Sequence, residues 1–429
     1  MNRNATTQRT PSIPTTAEGT AKTMRALELG AFAISGSFMI VFPLLPALQE
    51  RSGISTSQLG WVAAAGFVAA LVAQLVIAPL ADRGYERRVL AGAVIAMAFA
   101  TVLCVVPGGL IGLILGRIGT GVAYGAFKPA ATGMAIRLFP DAPGERIGRL
   151  QALDLAGMAV GPLLAVAGKI AFGVVPTLVI ASALTLLVGL PSLARSTSIV
   201  SLVPMAMAMG ASERHDGPLA AIGMLRHRSV VAAALIVTAF MIPIGAYDAL
   251  FPRYLTDLGS SDLMLGIALT AFALPAMLLA TWCGRQADRL GPFRAAARGG
   301  AANVAVIVAY ALVRIPMLIV FIGLVESGGQ TLVGAAGAAA MGWAVPGRRA
   351  ATAQGLGEAV GTIAAAGVAL IAAPLYGAGG PTALFLVTAA LTTVALSAGV
   401  RLGLRSRPVD VGQETAIVQR VPDVPFIHA

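Results

Sequence analysis

Apolar stretches of roughly 20 residues recur along almost the whole chain, broken by short polar turns, and this rhythm limits the fold more than any single motif. A bilayer hydrocarbon core about 30 Å thick needs about 20 residues of helix. By that ruler the spans fall at 26–48, 57–80, 88–107, 110–136, 148–168, 172–194, 229–251, 262–284, 296–315, 317–343, 351–373 and 381–401. Each is expected to be a helix, because an open strand in lipid leaves its backbone groups unpaired. Charged residues are only 11% of the 429 and hydrophobic ones 57%. A soluble domain carries about a quarter charged residues, so an ordinary soluble globule is excluded.

The net charge of +11 is scattered between apolar segments and never forms a run. It is read as lipid-headgroup and topology signal, with no nucleic-acid partner. Of the 30 Lys and Arg, Arg51, Lys169, Arg253 and Arg314 fall on turns of one side and Arg117 and Lys128 inside spans; the rest lie on the other side. The basic side is cytoplasmic, which places both termini inside a plasma (inner) membrane. Residues 1–24 lack the short apolar core of a cleaved signal, so the first span is expected to be retained. Cys104 and Cys283 sit in separate apolar segments, far from any second cysteine, and read as packed thiols. No metal or cofactor is expected.

The boundaries predicted are a tail over 1–25, six spans over 26–194, a polar linker over 195–228, six spans over 229–401 and a tail over 402–429. Residues 218–228 of the linker have the pattern of a short amphipathic helix along the inner surface. Ser55-Thr-Ser-Gln58 reads as a capping box opening the second span, and Ser260-Ser-Asp262 caps the eighth. Gly377-Ala-Gly-Gly-Pro381 marks a turn between the last two spans.

One unit is written twice. Gly284-Arg-Gln-Ala-Asp288-Arg289-Leu-Gly291-Pro-Phe-Arg294 follows an apolar run, and about 206 positions earlier stands Ala78-Pro-Leu-Ala-Asp82-Arg83-Gly-Tyr-Glu-Arg87-Arg88. Leu59-Gly60 and Leu265-Gly266 precede the two copies by the same gap. Further on, Ile118-Gly119 matches Ile322-Gly323, and Asp154-Leu-Ala-Gly157 matches Glu358-Ala-Val-Gly361. Two parallel six-span halves with a substrate site between them near the midplane follow from such a repeat.

These turns resemble the Gly-x-x-x-Asp-Arg-x-Gly-Arg-Arg motif of the major facilitator superfamily. The second copy has Gly284, Asp288, Arg289, Gly291 and Arg294 in place. The first departs from it, with Ala78 for the leading glycine and Gly84 one position early. Arg117-Ile-Gly-Thr-Gly121 resembles a second motif of the family. Gly148, Gly157, Gly161 and Pro162 resemble the glycine-proline signature of its antiporter branch, with Ala165-Val166 where a glycine pair is usual. The resemblance implies an all-α membrane protein of twelve spans in two pseudo-symmetric bundles. It also implies that Asp82, Arg83, Arg87, Arg88, Asp288, Arg289 and Arg294 hold an inner gate. The physical alternative for the fifth-span glycines is generic close packing of helices.

An ionised side chain deep in a bilayer costs several kcal/mol unless paired or hydrated, so buried charges here draw attention. Arg117, Gly121, Tyr124 and Lys128 fall at helical spacing on one stripe of the fourth span, as a cavity wall would. Glu326 lies about nine residues, roughly 14 Å, into the tenth span. Asp154 and Glu358 occupy matching places in the two halves. All three carboxylates are candidates for proton coupling, or else form fixed ion pairs. Glu28 and Asp248, near span ends, read as solvated boundary charges. Phe38, Phe42, Tyr247 and Gln330 are candidates for the substrate cavity, Phe32 and Phe240 with them, with plain packing as the alternative for the aromatics.

The resemblance implies a proton-coupled secondary transporter working by alternating access, most like drug:proton antiporters that export small lipophilic or amphipathic compounds. The alternative is a facilitator of a defined metabolite such as an organic anion, sugar or amino acid. No Gly-x-x-x-x-Gly-Lys-Ser/Thr loop for nucleotide hydrolysis is present. His215, His227 and His428 lie outside the spans, which argues against a membrane-embedded metalloenzyme. The expected partners are a small-molecule substrate, protons and lipids, with the chain a monomer.

Overall fold

The structure, a computed structural model, describes residues 17–77, 80–106, 109–139, 143–194, 222–345 and 350–408. Residues 1–16 and 409–429 of the expected tails and most of the linker lie outside these, as do the side chains of Asp82 and Arg83, while residues 17–25, expected in the tail, are already helical. Eleven long helices are described. They are α1 (Ala17–Ser52), α2 (Thr56–Val76), α3 (Glu86–Leu103), α4 (Gly109–Leu138), α5 (Pro143–Phe172), α6 (Val174–Ala194), α7 (Arg228–Asp257), α8 (Asp262–Leu290), α9 (Pro292–Leu312), α10 (Pro316–Ala344) and α11 (Ala350–Leu404). Ten of them are long and apolar enough to cross a membrane.

Ten is not the expected twelve, for two local reasons. Helix α3 opens on Glu86-Arg87-Arg88, so its 18 residues carry too much charge for their length. The expected turn at 377–381 is helical almost throughout, and α11 runs 55 residues with one break at Gly380, φ 64°. Pro381 restarts the helix directly behind that break, as proline does at a first helical position.

Expected caps are in place. The Gln58 side chain accepts from the Ser55 backbone N–H at 2.8 Å, and the Ser261 hydroxyl accepts from Met264 N–H at 3.3 Å. Of the expected surface helix over 218–228, the described part has residues 222–223 helical, then a 3₁₀ turn, Met224–Arg226, leading into α7. Prolines interrupt α1, α4, α5, α7 and α8 from within, which membrane helices tolerate when neighbours satisfy the freed carbonyls.

Helix α1 packs against α5 and α6, α3 against α4 and α6, and α2 against α4. Later in the chain α7 packs against α11, α9 against α10 and α11, and α8 against α10. Between these two sets the main seams are α2 on α11 and α5 on α8. The core reflects this arrangement. Residues at one end of the early helices, such as Leu44, Leu48, Leu59 and Leu178, share one apolar cluster with α7–α11. At the other end Leu27, Leu90, Met97 and Met134 form a cluster of their own. Among the described residues the early and late helices therefore share a core at one end, while at the other, toward the Asp-Arg turns, the early helices have a cluster of their own.

Candidate functional site

The joined end is sewn by polar contacts that cross between the halves. Lys169 on α5 pairs with Asp262 on α8 at 2.6 Å, and Arg253 on α7 donates to Gln49 on α1 at 3.4 Å. Deeper along the α5–α8 seam, the Thr270 hydroxyl donates to the Ala159 carbonyl at 2.7 Å.

The deepest crossing contact corrects one expectation. Asp248 is not a solvated boundary charge: it is buried and accepts from Arg117 at 2.5 Å, with 5% and 6% of the two side chains exposed. Arg117 is buried with it, its guanidinium 5.1 Å from the Phe38 ring centroid and 5.0 Å from that of Phe42. Gly66 on α2 leaves the space it fills, for a Cβ there would stand 3.3 Å from the guanidinium nitrogens. The physical cause is that a buried guanidinium, always charged, must be met by an anion, and rings on the same half cover its faces. Glu28 is likewise buried, beside Arg149 at 3.1 Å.

Further along α4 stand Tyr124 and Lys128. They line a small crevice with Asp154 and Ser35, whose free room is about 20 Å³, enough for one water. Asp154 accepts from the hydroxyls of Ser35 and Tyr124, the latter at 3.3 Å, and stands 3.6 Å from the Lys128 ammonium. Glu358 is exposed and has no close partner among the described residues, yet its charge bears on Lys128 across the gap between α11 and α4. Asp154 and Glu358 thus differ, one held by two hydroxyls and one exposed.

Glu326 lies in a separate, sealed cluster of the second half. It is fully buried and accepts from the Tyr247 hydroxyl and from Tyr310 at 2.7 Å. Rings of Tyr247, Phe251, Phe272, Tyr310 and Phe385 close around it at centroid spacings of 5.3 to 6.4 Å. Gln330 stands on the same helix as Glu326. It is buried, accepting from Asn303 at 2.5 Å and donating to the Phe240 carbonyl at 2.7 Å.

Gly157 and Gly161 sit against α1. A Cβ on Gly157 would stand 2.4 Å from the Phe32 carbonyl oxygen, and one on Gly161 2.6 Å from that of Gly36. Pro162 borders Gly266 of α8, while Gly148 meets nothing within 4 Å. Among the turn residues, Arg87, Arg88, Asp288, Arg289 and Arg294 are exposed and make no ion pair within the described residues. Arg88 lies over the Tyr85 ring at 5.5 Å. The early glycine of the first copy is absorbed by a π-helical turn over Ala81–Tyr85 with Gly84 at φ 91°, whereas Gly291 ends α8 at φ 76°. Both are left-handed positions that favour glycine. Gly284 meets nothing within 4 Å.

Sequence reasoning missed Ser35, Tyr310, Asn303 and the buried Glu86, which stands 3.6 Å from Arg137. The signal available was a polar side chain inside an apolar span; its partner lay tens of residues away and was not readable.

A family profile described as Major Facilitator Superfamily matches residues 27–254. An uncharacterized MFS-type transporter of Mycobacterium tuberculosis, in two strains, is 33% identical over 144 residues, 32% of this chain and 33% of the relative. The matched stretch thus spans about a third of the length of those curated relatives. A solved bacterial homolog of the human lysosomal transporter Spinster, in inward-facing and occupied conformation, superposes with a TM-score of 0.67 at 14% identity, covering 90% of this chain and 94% of that one. With the profile matching more than half of its length and an all-helical fold shared with a solved transporter, the chain belongs to the major facilitator superfamily and is a multi-pass membrane protein of that type.

Proposed function

We propose that the protein is a proton-coupled secondary transporter that exports small lipophilic or amphipathic compounds across a plasma membrane by alternating access. Glu326 carries this reading: a fully buried carboxylate within a spanning helix, held by two tyrosine hydroxyls, with no Lys or Arg paired to it among the described residues. An ion with no counter-charge at that depth is costly, and such carboxylates mark proton or substrate pathways. Tyrosine hydroxyls can donate to its ionised form and accept from its protonated one.

Twelve crossings follow if α3 spans and α11 crosses twice. At 1.5 Å per residue α11 is about 80 Å long, more than twice a bilayer core. Both termini are then cytoplasmic, the joined end faces outward and the parted end opens to the cytoplasm. The inward-facing state of the Spinster homolog supports reading this conformation the same way. The described turn residues Arg87, Arg88, Asp288, Arg289 and Arg294, exposed and without an ion pair among the described residues, would engage with their turns when the inner side closes.

Reconstituted protein should drive efflux of a lipophilic dye under an inward proton gradient. Glu326→Gln should abolish that gradient-driven flux while leaving dye binding in place. Normal pumping by Glu326→Gln, with Asp154→Asn and Glu358→Gln inactive, would move the coupling to the paired site. A second reading, transport of a metabolite with an acidic group, is favoured by one observation, the half-exposed Lys128 ammonium on the cavity. Uptake of labelled organic acids by the same vesicles separates the two.

A further inference from the structure

Between Asp154 and Tyr124 the structure already holds an alkylammonium, and it is the protein's own. The Lys128 Nζ stands 3.6 Å from an Asp154 oxygen, 3.4 Å from the Tyr124 hydroxyl and 5.5 Å from the Tyr124 ring centroid. Tyr124 is stacked on Phe38 at 5.2 Å. A carboxylate beside an aromatic face is the combination that receives organic cations.

Lys128 is loosely kept there. Both polar distances exceed a firm hydrogen bond, and 47% of its side chain is exposed, whereas Arg117 pairs at 2.5 Å with 5% exposed and Lys169 at 2.6 Å with 25% exposed. Asp154 does not depend on it, being held independently by Ser35 and Tyr124. The crevice beside it has Ala31, Ile34 and Phe127 in its wall, which suits an apolar body. Glu358 acts on the same ammonium from the other half. A second carboxylate, without a close contact, thus lies within electrostatic range of the same ammonium.

We propose that Lys128 is a tethered stand-in for the substrate: its ammonium occupies the transporter's cation site, and an organic cation with an apolar body is carried by displacing it. This rests on the export reading and names its substrate class. On displacement the lysine swings on its flexible stem toward the open end, into water. One cation replaces another at Asp154, so that no carboxylate is left bare. The same lysine keeps the site neutralised when no cargo is present. Its role is to set the substrate's charge, and the sign of its mutational effect separates this from ordinary anion recognition.

The test uses the full chain in lipid nanodiscs with two probes, an alkylammonium and an alkyl carboxylate carrying the same fluorescent tail, read by anisotropy. Lys128→Gln should lower the Kd for the ammonium roughly tenfold, because a weakly held competitor is gone. Lys128→Met, which also drops the charge, should tighten binding to the same degree and guards against a folding artefact in either variant. Lys128→Arg keeps an occupant and should stay near the parent. Asp154→Asn should abolish ammonium binding with or without Lys128→Gln. Ammonium binding that is unchanged, weakened or absent in both Lys128→Gln and Lys128→Met overturns the proposal. So does carboxylate binding by the parent that Lys128→Gln removes. Failed efflux with this binding pattern intact would sink the export reading alone; dye efflux with ammonium binding insensitive to Lys128 would sink this inference alone.

Discussion

An arginine inside a bilayer cannot shed its proton, so its surroundings must supply an anion. Arg117 has Asp248, from the other half of the molecule, and rings of Phe38 and Phe42 from its own half. Removing one partner of such a pair strands the other, a loss of about 3–5 kcal/mol, while replacing both with apolar residues is far milder. Asp248→Asn should therefore depress the unfolding midpoint in detergent strongly. The double variant Arg117→Met with Asp248→Leu should recover most of that loss; additive losses in the double variant would show that the pair is not coupled. At this scale the sequence offered residue types and depth. It placed Arg117 and Glu326 inside spans, yet it could not pair Arg117 with a residue 131 positions away, and so Asp248 read as a boundary charge.

Helices in lipid gain little from apolar burial against one another, so close backbone approach matters more than in water. The α1–α5 seam depends on it, because the atoms facing Gly157 and Gly161 are the backbone oxygens of Phe32 and Gly36. Backbone cannot step aside as a side chain can. Gly157→Ala should cost about 1–3 kcal/mol by overpacking and lower flux in vesicles. Gly148→Ala, on open surface, should be neutral or gain up to about 1 kcal/mol from better helix propensity. Equal effects at the two positions, measured by thermal unfolding, would show that the spacing carries no packing role. The periodic glycines were legible as a close-packing face, but which helix they met was not. The same limit applies to the Asp-Arg turns. The shifted Gly84 was visible in the sequence, while the π-helical turn that accommodates it was a matter of three-dimensional closure.

Taken whole, the early and late helices share a core at one end, and among the described residues the early ones have a separate cluster at the other. If they rock, the Lys169–Asp262 contact must open in the alternate state. With Cys104 and Cys283 replaced, Lys169→Cys and Asp262→Cys joined by a reducible thiol cross-linker should halt flux, and reductant should restore it. Undiminished transport by the cross-linked protein would show that this end never opens. The sequence by itself determined the membrane setting, the helical class, most span positions and the internal repeat, because these depend on hydropathy and spacing along one chain. Only the tertiary structure decided which charges neutralise one another, that Asp154 is held by hydroxyls while its counterpart Glu358 is exposed, and at which end the early and late helices share a core. Those outcomes depend on contacts between segments far apart in sequence, and each charge's partner is chosen by where the packed helices bring it.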